Sequence, residues 1–122
     1  MATYRQAITA QRELYLISGK VRDTTTAKRL FNLRKKLDDA VEFVVERQKA
    51  NMEQTGVTYD EAGQWIYPDP ETRKIFDDAN NDLLDSLVEI EPVTAKAEAI
   101  PGLSINDIAA LDGFVEIIGS EE

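Results

Sequence analysis

Two acidic clusters hold the side chains best suited to chemistry: "DDAVE", with Asp38, Asp39 and Glu42, and "DDANNDLLD", with Asp77, Asp78, Asn81, Asp82 and Asp85. Carboxylates three apart on two antiparallel helices can hold Mg²⁺ through oxygen and so bind a nucleoside triphosphate, as in an all-helical nucleotide pyrophosphohydrolase. Helical geometry argues the other way. At about 100° per residue, Leu30, Leu37, Val41 and Val44 mark one face, and Asp39, Glu42 and Glu46 fall opposite it. Phe76, Leu83 and Leu87 mark a second face, from which Asp78, Asp82 and Asp85 point away. If the helices pack through their apolar faces, the clusters do not converge. The expectation is two solvated outer faces, with no metal and no cofactor.

Composition narrows the chemistry further. The chain has no cysteine, which excludes thiolate zinc sites, disulfides and cysteine nucleophiles. It has no histidine either, so the usual general base near neutral pH is missing. Any catalysis would fall to Asp, Glu, Lys, Tyr, Ser or Thr, and the chain is expected not to be an enzyme.

Charge is uneven along the 122 residues. Residues 1–50 carry 11 Lys/Arg and 6 Asp/Glu, a net of +5, and residues 51–122 carry 3 and 17, a net of −14; together they give the total of −9. That total argues against general binding to duplex nucleic acid. The positive charge concentrates between Lys20 and Lys36, where seven Lys/Arg face one acid, Asp23. Arg29, Arg34 and Lys36 flank the apolar stripe, where a pocket for a phosphate-bearing ligand or a subunit seam would lie. The alternative is structural: an antiparallel third helix would bring Asp77, Asp78, Asp82 and Asp85 back to Lys35 or Lys36.

The third group is aromatic. "TYDEAGQWIYPDPETRK", Thr58–Lys74, contains the only tryptophan. Tyr59, Trp65 and Tyr67 could stack on a base or anchor a protein partner, or they could form a small satellite core under a hairpin. An EF-hand counted from Asp60 to Glu71 fails, because Ala62, Ile66 and Pro68 offer no side-chain oxygen and Gly63 stands at the fourth position.

These side chains must be placed by a small set of elements. Thr3 and Gln6 have capping-box spacing and predict a first helix over Tyr4–Ser18, although "LYLI" could also be extended. The clearest helix runs from about Thr25 to about Glu53, with Asp23 or a following threonine as cap and Ala27, Leu30, Leu33, Leu37, Val41, Val44 and Gln48 at spacings of three or four. A helix that long calls for a partner helix or a subunit. Val57 and Tyr59, then Trp65 and Tyr67, alternate about Gly63 as a small hairpin does. Asp69 and Pro70 start a third helix, which continues through Leu87 and Val88 and is closed by Pro92. "VTAKAEAI" alternates like an edge strand, Ser104 and Asp107 cap a short helix stopped by Gly113, and "FVEII" reads as a closing strand before a frayed "GSEE" tail. The fold class is therefore α+β and mainly helical: a long antiparallel helical hairpin with a β-hairpin tip and a short mixed tail, in one domain over 1–122. The N-terminus does not read as a signal peptide and no apolar run reaches membrane-span length, so a cytoplasmic, membrane-free protein is expected.

The order "TTTAKRLFNLRKKLDDAVEFVVERQKANME", then "DEAGQW", then "FDDANNDLLDSLVEIE" resembles, in layout and charge pattern, an uncharacterised family of small phage-encoded cytoplasmic proteins. That resemblance carries no activity and no residue roles. It implies a phage or prophage setting and a protein that acts by binding, either inhibiting a host defence component or sequestering a nucleotide signal. For a nucleotide, Arg29, Arg34 and Lys36 would hold phosphate and Tyr59, Trp65 or Tyr67 the base. A virion or assembly accessory protein, an acidic DNA mimic and the Mg²⁺-dependent hydrolase are the alternatives. The expected partner is a protein or a small phosphate-bearing ligand, with self-association through the apolar stripe.

Overall fold

The computed structural model describes residues 2–119; of the "GSEE" tail expected to fray, residues 120–122 lie outside them. Helix α1, Tyr4–Leu16, starts at the capping box written in its sequence: the amide of Gln6 donates to the Thr3 hydroxyl and the amide of Thr3 to the Gln6 side chain. It ends two residues earlier than the sequence predicts. "LYL" is helical, and Ser18–Lys20 tightens into a 3₁₀ turn. Helix α2, Thr24–Thr55, is capped by the Asp23 carboxylate, which accepts from the amide of Thr26. Its stop is Gly56, which turns left-handed at φ 79° where a side chain would be strained.

Two helices of the same chain cover α2. Gln11 and Tyr15 of α1 reach Asp38, and Tyr4 stacks on Phe43, so α1 runs antiparallel over its first half. Ala7, Ala10 and Ala40 are buried at this crossing, where small side chains allow close approach. Over the second half lies α3, Pro70–Asp85, also antiparallel: Gln48 hydrogen-bonds Asn80 at 2.8 Å, and Met52 clusters with Phe76. The length of α2 is thus met within the chain. Between α2 and α3, β1 (Thr58–Tyr59) and β2 (Trp65–Ile66) pair antiparallel, with Tyr59 opposite Trp65. The expected helical hairpin with a β tip is present, and the fold is α+β and mainly helical.

Helix α3 stops short of the Leu87–Val88 end expected for it. Ser86–Val88 is extended because its backbone bonds to the start of α1: Tyr4 N–H donates to the Ser86 carbonyl and Val88 N–H to the Ala2 carbonyl. Leu87, expected on the buried face, is consequently 59% exposed, and the buried residues of α3 are Phe76 and Asn80. The tail forms β3, Val93–Lys96, a 3₁₀ turn at Ala97–Ala99, helix α4, Ile105–Ala110, and β4, Val115–Ile118. Strands β3 and β4 pair in parallel, with α4 in the crossover between them. The expected strand over 93–100 is cut to four residues by the 3₁₀ turn, whose Ala99 carbonyl accepts from the amide of Arg22. One core joins α1, the first half of α2, β3 and β4. A separate small cluster of Met52, Val57 and Phe76 sits under the hairpin, flanked by Trp65 and Tyr67.

Candidate functional site

The two groups proposed to share one ligand stand apart. Arg34 and Met52 are eighteen residues apart on one continuous helix, about 27 Å at 1.5 Å per residue. Trp65 and Tyr67 pack at the Met52 end. Such a span equals roughly eight stacked nucleotides at 3.4 Å each, so Arg34 and the hairpin aromatics do not serve one mononucleotide.

Each aromatic has a structural task or an open face. Trp65 meets Phe76 edge-on at 4.8 Å, and Tyr67 meets the same ring at 6.2 Å while its hydroxyl reaches Asp77. Burial and the adjacent Asp77 carboxylate raise the pKa of the Tyr67 phenol. These two rings belong to the satellite core. Tyr59 is 52% exposed and borders a cleft of about 420 Å³ with Lys49, Met52, Glu53 and Val57.

The three basic residues also separate. Arg29 lies beside β3, with its guanidinium 3.5 Å from the Thr94 carbonyl. Lys36 is exposed. Arg34 is the one of the three held against aromatic rings. Its guanidinium carbon lies 4.4 Å from the centre of the Tyr15 ring and 5.6 Å from that of Phe31, and Lys35 reaches the Phe31 ring as well. The Tyr15 hydroxyl is in turn held by Asp38, which also accepts from Gln11 at 2.9 Å. Arg34 forms the rim of an apolar cleft of about 230 Å³ lined by Leu14, Ile17, Val21, Ala27, Leu30 and Phe31. Among the described residues no carboxylate lies within 4.0 Å of the guanidinium nitrogens, so the direct contacts that order Arg34 are the two rings, with the Asp38 carboxylate behind the Tyr15 hydroxyl.

The acids of α3 do not meet Lys35 or Lys36. Because α3 covers only the second half of α2, Asp85 pairs with Arg5 of α1 at 3.1 Å, and Asp77 and Asp78 pair with Arg73 and Lys74 on their own helix. Asp39, Glu42, Asp78, Asp82 and Asp85 are all exposed. Among the described residues no three carboxylates gather as a metal site would require. No helix among them is long and apolar enough to cross a membrane.

No family model matches the chain, and no curated protein or solved structure matches it. The site is therefore defined by its geometry alone. Arg34 was visible in the sequence, but its companions were not. Tyr15 and Phe31 lie on different helices nineteen and three residues from it, and Tyr15 meets it only through the α1–α2 crossing. A sequence signal did exist for Phe31, an apolar residue one position past the buried Leu30 and therefore off the stripe.

Proposed function

We propose that this chain is a non-enzymatic protein that acts by binding another protein, and that Arg34 with Tyr15 and Phe31 is the centre of the surface it uses. The observation that carries this reading is the ring-ordered guanidinium, without a direct ion pair, at the rim of an apolar cleft. Tyr15 and Phe31 are each about half exposed, so aromatic area and positive charge are presented together. Arginine and tyrosine are enriched among residues that dominate interface energies, and a side chain held in place before binding loses less entropy on binding. The fitting partner offers a carboxylate next to an apolar side chain. In the phage or prophage setting that the layout resembles, that partner is a host component in the cytoplasm and the consequence of binding is its inhibition.

The test is to immobilise the chain, Arg34→Ala and Lys36→Ala, and to measure retention of proteins from a host extract with affinity follow-up on any that is enriched. A partner held by the parent chain and Lys36→Ala, and bound about 30-fold more weakly by Arg34→Ala, an interface loss of about 2 kcal/mol, supports the surface. Equal retention by all three removes it. Turnover of nucleoside triphosphates with Mg²⁺, abolished in Asp82→Ala, would overturn the non-enzymatic reading.

A further inference from the structure

Glu13 is out of place. It lies on the face of α1 that carries Ala10, Leu14 and Ile17, and only 7% of it is exposed. Its buried Oε2 receives no hydrogen bond. Facing it is a second carboxyl, Asp107 of α4, within hydrogen-bonding reach. Two carboxylates are both acceptors, so an ionised pair buries a repulsion with nothing donated between them.

We propose that Glu13 and Asp107 share one proton, and that this proton latches α4 onto the end of α1. The proton sits on Glu13. Asp107 is the better anion because the Ser104 amide donates to its Oδ2 at 2.9 Å and Lys20 Nζ lies 4.0 Å from the same oxygen. Asp107 is held below the usual carboxylate range, first by the Ser104 amide, and Glu13 is pushed above it, first by burial and then by Asp107. Lys20, on the turn after α1, is the cation acting on both and pulls Glu13 back toward ordinary behaviour. Its ammonium also reaches the Gly102 carbonyl ahead of α4. Protonated Glu13 therefore donates to Asp107 and joins three segments: α1, the Ser18–Lys20 turn and α4.

When the proton leaves, a buried negative charge faces Asp107 across the α1–α4 contact. Helix α4 is the element that yields, because it has six residues and none of them is buried. The sign follows from linkage. A folded-state pKa raised above the ordinary glutamate value of 4.5 makes the latch fully effective below that value. Its contribution falls by up to about tenfold in equilibrium constant per pH unit above 4.5, and it is lost once the pH has passed the folded value. The latch stands whether or not the Arg34 cleft binds a partner.

The experiment follows the side-chain carboxyl carbons of the full chain by NMR while hydrogen exchange reports protection of amides 105–111, corrected for intrinsic exchange. Glu13 should titrate above every other glutamate, and α4 protection should fall over the same pH range. Glu13→Gln, which donates without titrating, should keep α4 protected with no fall, and Lys20→Gln should move the Glu13 midpoint upward. Titration of Glu13 among the other glutamates overturns the proposal. So does an α4 protection profile in Glu13→Gln that parallels the parent. Should Glu13→Gln not fold, the carboxyl titration of the parent and of Lys20→Gln decides alone.

Discussion

Phe76→Ala tests whether the hairpin is held by a core of its own. Phe76 is fully buried, and the rings of Trp65 and Tyr67 both meet its edge or face, with Met52 and Val57 completing the cluster. Truncating a buried phenylalanine costs about 3–5 kcal/mol, of which an aromatic pair supplies about 0.5–1.5. Total stability for a chain of this length is about 6–18 kcal/mol at 0.05–0.15 per residue, so the variant should still fold. With a urea slope of about 1.5 kcal/mol/M, a loss of about 4 kcal/mol lowers the midpoint by about 2–3 M. Trp65 is the only tryptophan, so its emission reports on the hairpin and nothing else. In Phe76→Ala the emission should shift to the red in the native baseline and its urea transition should precede loss of helical circular dichroism. Phe114→Ala removes the other fully buried phenylalanine, which lies in the main core. It should cost as much without moving the native Trp65 emission. A loss under about 1 kcal/mol in Phe76→Ala, with unchanged emission, would refute the satellite core.

Asn80→Ala leaves the Gln48 amide without its 2.8 Å partner in a partly buried setting and should cost about 1–3 kcal/mol in chemical denaturation. Arg5→Ala breaks an ion pair whose side chains are both more than half exposed, and should change stability by no more than about 1 kcal/mol, less in high salt. Acid should weaken two helix starts. Asp23 and Asp69 are held below the usual carboxylate range chiefly by the amides of Thr26 and Thr72. Their stabilisation is present above the unfolded value of 3.8 and is lost as pH falls through the lower folded values. Asp69→Asn, which still caps but does not titrate, should flatten the acid limb of a plot of thermal midpoint against pH.

Elements that depend on neighbours three or four residues away were legible in the sequence. The Thr3–Gln6 and Ser104–Asp107 boxes, the Asp23 and Asp69 caps and the Leu30, Leu33, Leu37 and Val44 positions of the α2 stripe fall where the sequence predicts, because each depends on residues close in the chain, whereas Thr26 and Ala40 are buried in preference to the expected Ala27 and Val41. The hairpin turn is of the same kind: the Asp60 side chain accepts from the amides of Ala62 and Gln64, and Gly63 supplies the positive φ of 82°. The end of α3 was not legible. Its helical pattern runs on to Val88, but the backbone there bonds to Ala2 and Tyr4, more than eighty residues earlier, and that pairing outweighs local propensity.

The proposed surface divides in the same way. Sequence alone determined that this chain carries no cysteine or histidine chemistry, that its positive charge gathers in the first half, and that Asp39, Glu42, Glu46, Asp78, Asp82 and Asp85 lie on outward faces of helices. Residue types, helical phase and charge order depend on nothing beyond the chain itself. Only the tertiary structure decided which basic residue is ordered by aromatic rings, by crossing α1 over α2 so that Tyr15 meets Arg34. It likewise separated Arg34 from the hairpin aromatics by the rigid length of α2. It also placed Glu13 against Asp107, ninety-four residues apart, where burial and a facing carboxyl change what an ordinary glutamate can do.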